Sequence, residues 1–190
     1  IDVTADRSVF SYFTDLAGRS VELVVNDKPI AHDARTVVVK PVASEYTLRY
    51  MDWVEGNRRF VEKESGGAVG YIHLPDTWTG SAALFPRYFY SQTTKQGIIV
   101  DGRFNGGGLD PDIFLQRLDK KPLLYWVRRS SRDQTTPWLG TNALLVCLTN
   151  RQAGSGGDEL PFVFRAKGMG PIIGTRSWGG LIGYSTEIPL

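Results

Sequence analysis

The chain has 190 residues, 42% of them hydrophobic, which is enough for one medium domain with a real core, or for one domain and part of another. Its 22 basic and 20 acidic residues leave a formal charge of +2, and no Lys/Arg cluster interleaves with aromatics, so no nucleic-acid partner is expected. No apolar run approaches the roughly 20 residues that span a bilayer, so no membrane partner is expected, and "IDVTADRS" lacks the basic and apolar parts of a signal peptide. A single cysteine, Cys147, excludes an internal disulfide and sits in the apolar run "ALLVCLTN" as a small buried hydrophobe. The default compartment is therefore the cytoplasm.

In chain order, Asp6 is expected to cap a short amphipathic helix whose buried face is Val9, Phe10, Phe13, Leu16 and Ala17, stopped by Gly18. Two β-rich runs follow, "SVELVVN" and "RTVVVKP". One helix and two strands cannot bury a core alone, so residues 1–43 read as part of a domain. The absence of an initial Met and the strand-like ending "GYSTEIPL" carry the same expectation of a segment from a longer polypeptide. Residues 44–67 are charged and aromatic with a double-glycine end, and are expected to form a helical linker.

From residue 68 to 190 the pattern changes. The apolar runs "AVGYIHL", "QGIIVDG", "KPLLYWV", "NALLVCL" and "GPIIGT" alternate with helix-like segments such as "SAALFPRYFYSQ" and "DPDIFLQRLDK". Such alternation predicts an α/β layer whose strand ends present loops to a common cleft.

Two glycine-rich stretches follow strand-like runs there. In "IIVDGRFNGGGLDPDIF" the triplet Gly106–Gly108 precedes a helix, a setting in which backbone amides can turn toward an anion or oxyanion. In "LLVCLTNRQAGSGGDELPFVF" a lone serine, Ser155, stands between glycines where a strand gives way to a helix, so its Oγ can be exposed and the next amide can face a developing negative charge. Together they suggest Ser155 as nucleophile, with the amides of Gly108 and Gly156 as an oxyanion hole. A plain Gly-Ser-Gly turn accounts for the second stretch equally simply, and position 153 is Ala, so G-x-S-x-G is not met.

A base for the serine is not evident. His32 lies in the connection "PIAHDAR" and reads as a solvated loop residue, while His73 in "GYIHLPD" ends a strand and reads as an internal hydrogen-bonded histidine. Lys167, near the predicted helix end, reads as a solvated lysine. The glycines of "GMGPIIG" have the wrong spacing for dinucleotide binding, and the two histidines and dispersed carboxylates give no metal-ligand spacing, so no cofactor and no metal are expected.

The runs "YMDWVEGNRRFVEKESGGAVGYIHLPD", "GIIVDGRFNGGG" and "LTNRQAGSGGDELPFVFRAKGMGPIIGTRSWGGLIGY" resemble the tricorn branch of the C-terminal processing peptidases, over nearly the whole chain. The resemblance implies a crotonase-like (ClpP/crotonase-type) α/β peptidase core at residues 68–190, preceded by the C-terminal part of a PDZ-like domain at 1–43. It places Ser155 at the family nucleophile and Gly108 and Gly156 at the two oxyanion-hole amides. The residue after the nucleophile is often acidic in the archaeal type and is Gly here, but only its amide is required. Where the tail-specific relatives carry a lysine base in a segment like "TFGKG", this chain has "TRSWGGL", with Gly179 and Gly180 at the expected place, which excludes a Ser–Lys dyad and favours the histidine-dependent branch. In that branch the histidine precedes the PDZ-like domain and a supporting acidic residue lies beyond this sequence.

The implied activity is that of a serine endopeptidase acting on oligopeptides or unfolded polypeptides, assembled as a trimer or hexamer, with little activity expected of residues 1–190 alone. Two other readings remain. One is a non-catalytic peptide-binding module using strand addition. The other is an acyl-CoA enzyme drawing on Asp158 or Glu159, although carboxylates at a helix start are more commonly surface residues that stabilise the dipole.

Overall fold

The computed structural model describes residues 3–181. They form two compact units that divide between Trp53 and Val54. The run "GYSTEIPL" lies outside the described residues.

The first unit contains an antiparallel hairpin, β1 (Val21–Val25) and β2 (Arg35–Val39), with Val21 opposite Val39 and Val25 opposite Arg35. Alternation puts Val21, Leu23 and Val25 on the half-buried face and Glu22 and Val24 outside, as a period of two requires. The helix expected from Asp6 to Gly18 is not formed. A five-residue 3-10 turn at Val9–Phe13 replaces it, preceded by Ser8 instead of Asp6, with Val9 and Phe10 exposed. Thr14 then turns extended and Asp15 takes φ 61°, so helical hydrogen bonding cannot propagate. A short segment with aromatic and β-branched residues has little propensity to complete an α-helix unless a core rewards it. None is available, since no described residue before Val54 is fully buried.

Helix α1 (Tyr46–Glu64) carries Arg58 between Glu55 and Glu62, the i,i+3 and i,i+4 partners that stabilise a polar helix by a few tenths of a kcal/mol each. It ends where Gly66 and Gly67 take positive φ and the Gly67 amide donates to the Glu62 carbonyl.

The second unit is built on a four-stranded parallel sheet. Its strands are β3 (Val69–His73), β4 (Gly97–Asp101), β7 (Leu144–Thr149) and β8 (Ile172–Gly174), adjacent in that order. Helices α2 (Thr79–Tyr90), α3 (Pro111–Leu118) and α4 (Gly156–Ala166) connect or follow these strands. Ile72, Ile98, Val100, Leu145 and Cys147 of the sheet pack with Phe85 and Phe89 of α2, Phe114 and Leu118 of α3, and Leu160 and Phe164 of α4. The Phe85 ring stacks on Phe89 at 4.9 Å and meets Phe114 edge-on at 5.2 Å, which locks α2 to α3. Each such side chain contributes about 1.5–3 kcal/mol on burial, so the sheet and three helices form the rigid part of the unit.

The strand expected in "KPLLYWV" forms, but outside this sheet. Residues Leu124–Trp126 (β5) pair antiparallel with Gln134–Thr136 (β6) as a separate hairpin whose β5 residues are all exposed. Central parallel strands are buried on both faces, whereas the residues of this one are exposed.

Candidate active site

Ser155 and Gly108 lie on loops leaving the C-terminal ends of the parallel strands, where open α/β sheets present their sites, and Gly156 opens the helix that follows Ser155. Three loops matter: residues 74–78 after β3, 102–110 after β4, and 150–155 after β7.

The first two are zipped by backbone hydrogen bonds. The Gly106 amide donates to the Pro75 carbonyl (2.9 Å), Thr77 to Gly107 (2.9 Å), and Asp110 to Thr77 (3.0 Å). Asp76 fixes the other side of the first loop by accepting the amides of Trp78, Gly80 and Ser81, three donors at the start of α2. Gly108 sits inside the zipper at φ 144°, and a Cβ there would fall 2.6 Å from the Thr77 carbonyl group. Among the described residues its amide donates to no acceptor.

Ser155 ends the third loop. Its φ of 55° and ψ of −121° are unusual for a residue with a side chain and cost on the order of 1–3 kcal/mol. A serine directly before a helix ordinarily folds back to cap it, yet Ser155 makes no side-chain cap to α4. The strained turn therefore holds the Oγ away from the helix amides. The 102–110 loop comes directly against it: a Cβ on Gly107 would lie 2.6 Å from Ser155 Cβ and 3.1 Å from its Oγ. Gly156, the first residue of α4, is equally confined, because a Cβ there would meet the Thr77 hydroxyl and would lie 2.7 Å from the Gly108 carbonyl oxygen. Its amide, one of the orphan donors of a helix start, has no acceptor among the described residues. Ser155, Gly108 and Gly156, far apart in sequence, are thus brought together, with two unoccupied backbone donors at the positive end of a helix dipole.

Several contributors escaped the sequence reading. Thr77 is completely buried and its hydroxyl finds no partner among the described residues. Such an orphan costs about 1–3 kcal/mol. Thr77→Val, which keeps the shape and removes the hydroxyl, is expected to raise the stability of this unit by about 1 kcal/mol, read by hydrogen exchange on β3 and the 104–110 loop; slower exchange supports the orphan, faster exchange refutes it.

Asn105 is also fully buried and ties the loops together through its own backbone and side chain. Asp158, expected at the surface, is buried instead, and its carboxylate accepts the amides of Gly179 (2.7 Å) and Gly180 (3.0 Å). The 178–180 segment is therefore clamped to α4 by its backbone. Trp178 completes the clamp, donating its amide to the Ala153 carbonyl and packing against Gly154. The Asp76–Ser81 spacing and the Asn105–Gly107 bond are local; the Asn105 bonds to Leu74 and Gly154, the Thr77 contacts and the Asp158 carboxylate contacts join residues 20 or more positions apart and leave no periodic trace.

At the end of β4, Asp101 is fully buried and accepts the Tyr71 hydroxyl (2.6 Å), the Arg103 amide (2.9 Å) and the Arg103 guanidinium (Nη2 at 2.6 Å). His73 is buried beside it and hydrogen-bonded to the Asp101 backbone, and desolvation pulls its pKa below the ordinary histidine value. Burial, assisted by Asp101, pushes the Cys147 thiol up to about 12, so this cysteine is an inert core residue. His32 lies in the first unit, exposed and paired with Asp33 at 2.7 Å. Lys167 follows α4 and is ion-paired with Asp119. No described helix is long and apolar enough to cross a membrane.

A strained serine thus stands beside two backbone amides at the C-terminal ends of a parallel sheet. Residues 68–190 match peptidase family S41, and the chain belongs to that family. It is 35% identical over 97% of its length to the tricorn protease of Thermoplasma acidophilum, and 39% identical over 86% to a tricorn-like protease C-terminal subunit of Sulfurisphaera tokodaii. A crystal structure of the tricorn protease superposes on 96% of the chain with a TM-score of 0.89 at 34% identity. The chain spans only 17% and 19% of those two relatives and 18% of the solved chain.

Proposed function

We propose that this chain carries the acylating half of a tricorn-type serine endopeptidase acting on oligopeptides or unfolded polypeptides. The observation that carries the reading is the juxtaposition of an uncapped, strained Ser155 with the free amides of Gly108 and Gly156. Ser155 Oγ attacks the scissile carbonyl carbon; the oxyanion that forms is held by the two amides, and collapse expels the amine and leaves an acyl-serine that water hydrolyses.

Neither histidine of the chain takes the serine proton in this reading. His73 is enclosed and bonded to the Asp101 backbone, and His32 stands on an exposed loop of the other unit. The base is a histidine outside residues 1–190, preceding the PDZ-like part at 1–43, and a further acidic residue follows the core. The core at 68–190 is crotonase-like, the complete protein is a cytoplasmic trimer or hexamer, and no cofactor takes part.

The full-length protein is expected to cut a reduced, carboxymethylated polypeptide at internal bonds, with fragments identified by mass spectrometry. Binding without cleavage would instead favour a peptide-binding module, and saturable binding of CoA would favour an acyl-CoA enzyme.

A further inference from the structure

The nucleophile Ser155 and the oxyanion amide of Gly108 lie on different loops, so their relative position depends on bonds that join the two. Asn105, on the same 102–110 loop as Gly108, is bonded on both sides. The Asn105 carbonyl accepts the Gly154 amide at 3.1 Å, directly before Ser155; its side-chain Oδ1 accepts the Gly107 amide at 2.8 Å, directly before Gly108; and its Nδ2 donates to the Leu74 carbonyl at 2.9 Å, at the start of the 74–78 loop. All three bonds are made at a residue with no solvent exposure, where they are strong and costly to lose.

We infer that Asn105 is the positioning residue that sets the oxyanion amide of Gly108 against Ser155, an inference that rests on the function proposed above. The division of its bonds gives it a distinctive signature. The tether to the Ser155 loop is a backbone carbonyl and survives any substitution. Asn105 shares the 102–110 loop with Gly108, and within that loop the side-chain Oδ1 is what accepts the Gly107 amide beside Gly108. Truncation therefore loosens the Gly107–Gly108 turn while the bond to the serine loop stays in place, and the loss falls on transition-state stabilisation instead of ground-state binding.

A second substitution sharpens the test. In Asn105→Asp a protonated carboxyl copies the amide, its carbonyl oxygen accepting from Gly107 and its O–H donating to Leu74. The ionised form sets a second acceptor against the Leu74 carbonyl instead. Burial raises a carboxyl pKa, so the neutral, amide-like form gains population as pH falls.

The measurement is the rate of fluorophosphonate modification of Ser155 in the full-length protein, with peptide kcat and KM alongside. Asn105→Ala is expected to slow modification and kcat about 100-fold, the effect of losing one oxyanion donor, with KM within about threefold of wild type. The Asn105→Asp rate, divided by the wild-type rate at each pH, is expected to climb as pH falls, while the Asn105→Ala ratio stays flat. An unchanged Asn105→Ala rate, or a flat Asn105→Asp ratio should the alanine variant not fold, overturns the inference. A folded wild-type protein left unmodified at Ser155 overturns the functional reading itself, which keeps the two failures apart.

Discussion

Ser155→Ala in the full-length protein is expected to lower kcat/KM for peptide cleavage by about 10⁴- to 10⁶-fold, the range seen when a serine nucleophile is removed from a site that keeps its oxyanion hole. Stability should change by less than about 0.5 kcal/mol. The two expectations belong together. Ser155 Oγ caps nothing, so its loss orphans no partner, and alanine has the same Cβ and meets the same backbone strain at φ 55°. A merely structural turn serine would show the opposite pattern, a normal turnover with a small stability loss. Steady-state kinetics with a fluorogenic peptide and amide exchange over residues 150–160 check both halves.

The largest stability effect is expected at Asp101. This carboxylate is completely buried at the end of β4, where it balances the Arg103 guanidinium and accepts the Tyr71 hydroxyl. Removing one partner of a buried ion pair costs about 3–5 kcal/mol. Asp101→Ala should fall at the lower end, about 3 kcal/mol, because the Arg103 side chain is 33% exposed and can turn its charge to water, whereas the Tyr71 hydroxyl is left stranded. Hydrogen exchange of the β3 and β4 amides measures it. Tyr71→Phe should recover part of the loss in the Asp101→Ala background, because it removes the stranded hydroxyl; an additive double variant would contradict the account.

The parallel sheet could be read from sequence because its signals are local. Strands β3, β4 and β7 are short apolar runs bounded by glycine or turn residues, and the following helices carry periodic apolar faces. Ser155 and the glycine triplet stood out for the same reason, since few roles other than a tight turn explain such strings. What eluded the reading depends on distance along the chain. Asn105 looks like an ordinary loop residue until Leu74 and Gly154 arrive beside it. Asp158 resembles a helix-dipole carboxylate until the 178–180 segment offers it two amides. The Asp6 helix failed in the other direction, because a correct local periodicity at Val9, Phe10 and Phe13 had no core to reward it, and β5 formed a strand that the main sheet did not recruit.

The most direct test of the central claim is a peptide map of the full-length protein after reaction with a fluorophosphonate. The account predicts a single phosphonyl adduct on the tryptic peptide 152–165, placed on Ser155 by fragmentation and absent from Ser155→Ala. A protein that cleaves peptides while this serine stays unmodified, or that carries the adduct on another residue, would contradict it.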